Sequence, residues 1–164
     1  TNGYPASSGS LETLGGGQRP SVAIYKLERA ILDWLTALCF DRVFERFPGV
    51  RVASVENGAA YLHDLFRMLA STRDRYKHWF SQDPVETFKE HVWINPFWED
   101  DIDEVIGYMG AERVLFGSDF PHMEGLEKPA DIFEEIGHLS REDQQKIVHD
   151  NAAQLTGVTS RAAA

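Results

Sequence analysis

Arg113-Val114-Leu115-Phe116-Gly117-Ser118-Asp119-Phe120-Pro121-His122 is the stretch on which the reading of this chain turns. Val114-Leu115-Phe116 is a short apolar run of strand-forming residues, stopped by Gly117-Ser118-Asp119. The same pattern occurs twice upstream. Val50 to Val55 reads as a short buried strand ended by Glu56-Asn57-Gly58, and His91 to Ile94 as another, ended by Asn95-Pro96. Helical spacing fills the gaps. Leu27, Ile31, Trp34, Leu35 and Leu38 form one apolar stripe, and Phe40, Val43, Phe44 and Phe47 continue it until Pro48-Gly49 breaks the helix. Leu62, Leu65, Phe66 and Leu69 mark a second helix from near Ala59. Ile102, Val105, Ile106 and Met109 mark a third from about Glu99, stopped by Gly110. Arg73 to Lys89 reads as helix followed by a surface loop containing Pro84. After the third strand come helical patterns at Asp131 to Ile136 and Glu142 to Leu155, the last with Ser140 as N-cap.

Short apolar strands alternating with amphipathic helices imply an α/β fold, a parallel sheet covered by helices. Two architectures satisfy that order, a doubly wound open sheet and part of a (β/α)8 barrel. The sequence has neither a dinucleotide-binding glycine fingerprint nor a phosphate loop to favour the first. The 164 residues are read as one domain, with a Gly- and Ser-rich loop over 1–20, βα units over 21–158 and a tail over 159–164. Because the chain starts on that loop, with no strand before it, a truncated domain is one expectation and an ordinary flexible tail the other.

Composition narrows the function classes. A formal net charge of -10 argues against nucleic acid or an anionic membrane as partner. No apolar run is long enough to span a bilayer, and no signal peptide is recognised. The single cysteine, Cys39, excludes an internal disulfide, suits a reducing compartment and falls on a buried helical position, so a cytoplasmic setting is expected.

All three strand ends are polar: Glu56-Asn57, Asn95 and Ser118-Asp119. In parallel α/β folds the loops after the strands converge there, and sites are assembled at that edge. Asp119 has a hard anionic oxygen on a rigid stem, suited to a divalent metal or to proton transfer, or equally to capping a turn. Glu56 could act as base, metal ligand or solvated loop residue. His122, three residues past Asp119, can reach the same edge, and Asn57 and Trp98 are candidate substrate contacts. Trp93, Phe97 and Trp98 wall a pocket or belong to the core. His63, His78, His138 and His149 fall on helical patterns and read as exposed or structural, and His91 stands at the wrong end of its strand for catalysis.

Three segments, in order, resemble the amidohydrolase-related family, which includes aminocarboxymuconate semialdehyde decarboxylase. They are Val43-Phe44-Glu45-Arg46-Phe47-Pro48-Gly49-Val50-Arg51-Val52-Ala53, the Arg113–His122 stretch, and Asp150-Asn151-Ala152-Ala153-Gln154-Leu155-Thr156-Gly157. The resemblance covers roughly Ser21 to Val158 and implies a TIM barrel of which this chain carries about strands 6–8. It also implies a divalent metal, zinc by expectation, held by a His-x-His pair, a further His, and a carboxylate that maps onto Asp119. No His-x-His occurs in this sequence. Where decarboxylases of the family often place a histidine after the sixth strand, Glu56 stands here. A carboxylate can accept a proton or orient water, but cannot act as an imidazolium donor. The implied activity is hydrolysis of a C–N or C–O bond in a small carbonyl substrate, with non-oxidative decarboxylation as the alternative. A non-catalytic α/β fragment is the contrasting reading. The intact protein is expected to be a homo-oligomer, and this chain alone to be inactive.

Overall fold

The computed structural model describes residues 25–120, 126 and 128–158. Its first helix, α1 (Tyr25–Phe40), buries Ile31, Leu35 and Cys39, a stripe four residues apart that matches the helical repeat. Arg42 takes a left-handed backbone (φ 56°) and turns the chain into the one-turn helix α2 (Val43–Arg46), which buries Phe44. Past Pro48-Gly49 runs β1 (Val52–Ser54), then α3 (Leu62–Arg75), α4 (Pro84–His91) and β2 (Val92–Ile94). The strands pair in parallel, Val52 opposite Val92, Ala53 opposite Trp93 and Ser54 opposite Ile94. All three residues of β2 are buried, as expected of a parallel strand covered on both faces.

Helix α5 (Ile102–Met109) starts where the Asp101 side chain accepts the Asp103 and Glu104 amides, and ends at Gly110 (φ 80°). Further along the chain stand α6 (Ile132–Glu135) and α7 (Arg141–Gln145), the latter capped by Ser140 as its sequence indicates. A π-turn (Lys146–Asp150) and α8 (Asn151–Thr156) continue α7 as one helical run. Leu35, Leu62, Leu65, Leu69, Phe88, Val92, Ile94 and Val114 are almost wholly buried between helices and sheet. Each stabilises the fold by about 1.5–3 kcal/mol relative to an exposed position.

The α/β order stands, yet the described residues are mostly helical, and several expectations need correction. The third strand is reduced to a single parallel bridge, Ile94 to Val114. Leu115 donates to Ile94 O (2.7 Å), but the next amide, Phe116, turns to Ile147 O in the π-turn (3.1 Å) and leaves the ladder. The surface loop expected around Pro84 is instead α4. Asp83 caps it through Val85 N (3.0 Å), proline fits its first turn, and Pro84, Thr87 and Phe88 are buried. His91 is therefore the last residue of a helix rather than the first of a strand. Trp34 and Phe47, placed on apolar stripes, are about half exposed (50% and 52%), and α3 begins at Leu62 rather than near Ala59.

Candidate active site

Parallel pairing points the carboxyl ends of β1, β2 and the Val114–Phe116 segment in one direction. At this edge the backbone takes uncommon forms. Of the three described non-glycine residues with left-handed φ, two are Glu56 (φ 58°) and Asp119 (φ 54°). Such a conformation costs of the order of 1–2 kcal/mol in a residue with a Cβ. Aspartate tolerates this conformation better than most residues, so the larger cost falls on Glu56.

Glu56 and Asp119 line one pocket of about 120 Å³ with Asn95, Phe97, Trp98 and Leu126. Phe97 and Trp98 are 43% and 55% exposed, so this wall is a surface rather than core. Asn95 is buried, and its side-chain nitrogen donates to Pro96 O (3.2 Å) and Leu115 O (3.4 Å). A Cβ at Gly117 would stand 2.9 Å from Asn95 Oδ1, so only glycine lets the chain pass Asn95 on its way to Asp119. Beyond it, Ser118 O accepts the Leu126 amide (2.8 Å).

Glu56, Trp98 and Asp119 are therefore brought together. Asn57 is not: its amide folds back onto Val55 O (2.7 Å), and it stands outside the pocket lining, because the turn uses it as its own brace. His122 lies outside the described residues. His63, His78, His138 and His149 are all exposed.

Sequence reasoning overlooked Asp100. Its Oδ2 accepts both the Ala59 and the Phe97 backbone amides, each at 2.8 Å. Burial pushes its pKa above the usual aspartate value, against those two hydrogen bonds, with Glu104 adding a smaller push upward. The signal was there in Asp100-Asp101 ahead of a helix. One acid caps α5, which leaves the other without a local duty. Tyr61 donates to Ser54 Oγ (2.9 Å) behind the Glu56 turn, and burial pushes its phenol up to about 12. Cys39, likewise pushed up to about 12 by burial, stays a protonated thiol and is no nucleophile.

A larger cavity, about 620 Å³, opens at the opposite edge beside Arg51, His91, Arg113 and Gln154. Size favours it, and three of its basic side chains are tied to main-chain carbonyls. Arg51 donates to Leu155 O (3.3 Å) and to Gln154 O, Arg113 Nε to Lys89 O (2.6 Å), and His91 Nδ1 to Val50 O (2.7 Å). The strand-end carboxylates line the smaller pocket. There, Glu56 and Asp119, with Glu99 also in the lining, offer hard carboxylate oxygens that suit a divalent cation in part. Among the described residues no group of three His, Cys, Asp or Glu stands ready to hold one, and a catalytic metal usually takes three protein ligands.

Acidic and polar side chains gathered at the carboxyl edge of parallel strands stand where parallel α/β folds assemble their sites. The sequence profile described as Amidohydrolase matches residues 28–158, and the chain belongs to that family. It is 35% identical to an amidohydrolase from Mycobacterium avium subsp. paratuberculosis K-10 whose crystal structure superposes with a TM-score of 0.79, covering 88% of this chain and 38% of that one. It is 24% identical over 136 residues to 2-amino-3-carboxymuconate-6-semialdehyde decarboxylase of Dictyostelium discoideum, covering 76% of this chain and 36% of the relative. The structure of 5-carboxyvanillate decarboxylase from Sphingomonas paucimobilis shares the fold at 20% identity, with a TM-score of 0.59 over 76% of this chain and 38% of that one. The chain thus spans little more than a third of the length of these relatives. Enzymes of the family generally use divalent metals. No helix among the described residues is long and apolar enough to cross a membrane.

Proposed function

We propose that this chain is the part of a (β/α)8 barrel carrying about strands 6–8 of a metal-dependent hydrolase, acting on a C–N or C–O bond of a small carbonyl compound. The observation that supports it best is the pairing of Glu56 and Asp119, both left-handed, on one pocket rim. Asp119 would be one ligand of a divalent metal, zinc by preference, with the other ligands supplied from outside the described residues. The metal, when bound, would polarise a carbonyl or lower the pKa of a water. Glu56 takes up the proton that water gives away, a task open to a carboxylate. Phe97 and Trp98 hold the apolar part of the substrate against one wall, and His122 would contact its polar end. The whole protein is proposed to be a homo-oligomer.

Decarboxylation is the second reading, favoured by the two relatives named as decarboxylases. It needs a proton delivered to carbon once carbon dioxide leaves, and Glu56 would first have to be protonated to do so. The two separate in one experiment on the whole zinc-loaded protein. It is incubated with 5-carboxyvanillate and 2-amino-3-carboxymuconate-6-semialdehyde, and separately with a panel of amides, esters and lactones. Acid release from the panel without carbon dioxide from the two carboxylated compounds is the expected result. Carbon dioxide release at catalytic rates would replace hydrolysis by decarboxylation, and inactivity toward both sets would favour the non-catalytic reading.

A further inference from the structure

Glu56 and the aromatic pair Phe97-Trp98 belong to different loops, one after β1 and one after β2, and no hydrogen bond between their side chains sets their spacing. We propose that Asp100 is a positioning residue that clasps these two loops together and so fixes the base and the apolar wall of the pocket relative to each other. Its role in turnover rests on the reading of that pocket as the active site; the clasp itself does not.

The geometry is specific. One oxygen, Oδ2, accepts the Ala59 amide from the first loop and the Phe97 amide from the second, both at 2.8 Å. Ala59 lies three residues past Glu56, and Phe97 directly precedes Trp98. The loops also touch. A Cβ at Gly58, which has φ 63°, would stand 2.7 Å from the Phe97 ring and 3.3 Å from the same Oδ2. Glycine admits this approach, and the carboxylate holds it. Such a group is not needed to build α5, whose N-terminal amides are capped by Asp101. Half-buried and hydrogen-bonded to two amides, Asp100 spends its desolvation cost on joining loops rather than on starting a helix.

Hydrogen exchange on the whole protein tests this without a substrate. In Asp100→Ala, the Ala59 and Phe97 amides should exchange faster together, by about tenfold or more, the scale of a lost hydrogen bond to a charged group. Amides within α3 and β2 should keep their protection. Asp100→Asn retains an oxygen acceptor and should restore most of the protection at both sites. Unchanged exchange in the alanine variant overturns the clasp. So does acceleration at only one amide, which would make Asp100 a cap for a single loop, or loss of protection across α3 and β2, which would make it a general fold residue. If a reaction is found in the assay above, Asp100→Ala should lower kcat with metal content unchanged and Asp100→Asn should recover much of it. Altered exchange with unaltered kcat and KM would refute positioning. Failure to find any reaction would count against the hydrolase reading and leave the exchange result to decide the clasp.

Discussion

The two edges of the sheet are built on opposite terms. At the amino edge the side chains of Arg51, His91 and Arg113 donate to main-chain carbonyls of neighbouring segments, and the Arg113 guanidinium lies 4.3 Å over the buried Trp93 ring. The last helix joins them: buried Asn151 donates to Ala111 O and Val114 O, both at 2.7 Å. At the carboxyl edge two acids sit in left-handed backbone, the aromatic wall is exposed, and loops are joined through one carboxylate. The amino edge is fastened for stability. The carboxyl edge gives up stability to hold acids around a pocket, the usual division of labour in barrel folds.

Substitutions at the two edges should therefore fail in different ways. The largest effect is expected from Asp119→Asn in the whole protein, which should reduce bound metal and remove most activity. The loss should exceed the ~10–100-fold typical when only a group orienting a ligand is removed. Full zinc occupancy with near-normal turnover would reduce Asp119 to a turn residue. Glu56→Gln comes next: metal retained and kcat down about a hundredfold, the lower end of what a positioned base contributes. Zinc loss would make Glu56 a ligand, and an unchanged rate a bystander.

Stability should move in opposite directions at the two edges. Asn151→Ala removes the donor shared by Val114 O and Ala111 O, the latter keeping only the long bond from Val114 N (3.4 Å), and denaturant titration should show a loss of about 1–3 kcal/mol. Glu56→Gly replaces a left-handed residue by one that tolerates the conformation, so stability should hold or rise by up to about 1 kcal/mol while activity falls. A loss at Glu56→Gly as large as at Asn151→Ala would dissolve the distinction between the edges.

The sequence disclosed the two edges unequally. Strand ends announce themselves through turn chemistry, so Glu56, Asn95 and Asp119 could be placed on one rim from Glu56-Asn57-Gly58, Asn95-Pro96 and Gly117-Ser118-Asp119. What periodicity could not supply was pairing across the chain. Asp100 looks like a helix-start acid until Ala59, far away in sequence, is brought to it. Likewise Phe116 reads as strand, and only the carbonyl of Ile147 in the π-turn draws its amide out of the ladder. Pro84 departs from the expected loop for a local reason: proline breaks a helix inside but opens one at its first turn, and Asp83 just before it supplies the cap.

The smallest effect concerns the outer rim of the carboxyl edge, where α5 begins. His138 Nε2 lies 2.8 Å from Asp103 Oδ1, linking the first turn of α5 to the turn between α6 and α7. The hydrogen bond to Asp103 chiefly holds the His138 pKa above its ordinary 6.5, against desolvation, with the Asp103 charge, a backbone hydrogen bond at Glu135 and the Glu135 charge adding smaller pushes upward. A raised folded-state pKa means that the folded protein binds the proton more tightly than the unfolded chain. The stabilisation is therefore complete below about pH 6.5, the unfolded value, and is lost as pH rises through the higher folded value. Both partners are half-exposed or more, so the tie is screened by salt and its contribution is small. Melting curves of the whole protein and of His138→Gln, taken from pH 5.5 to 8.5 at low salt, should differ slightly at the acid end. The gap should close at the alkaline end and shrink on adding salt. Turnover should not change, since His138 does not line the pocket. A gap independent of pH, or one that opens on the alkaline side, would show that packing of the α6–α7 turn, not the ion pair, holds this rim against α5.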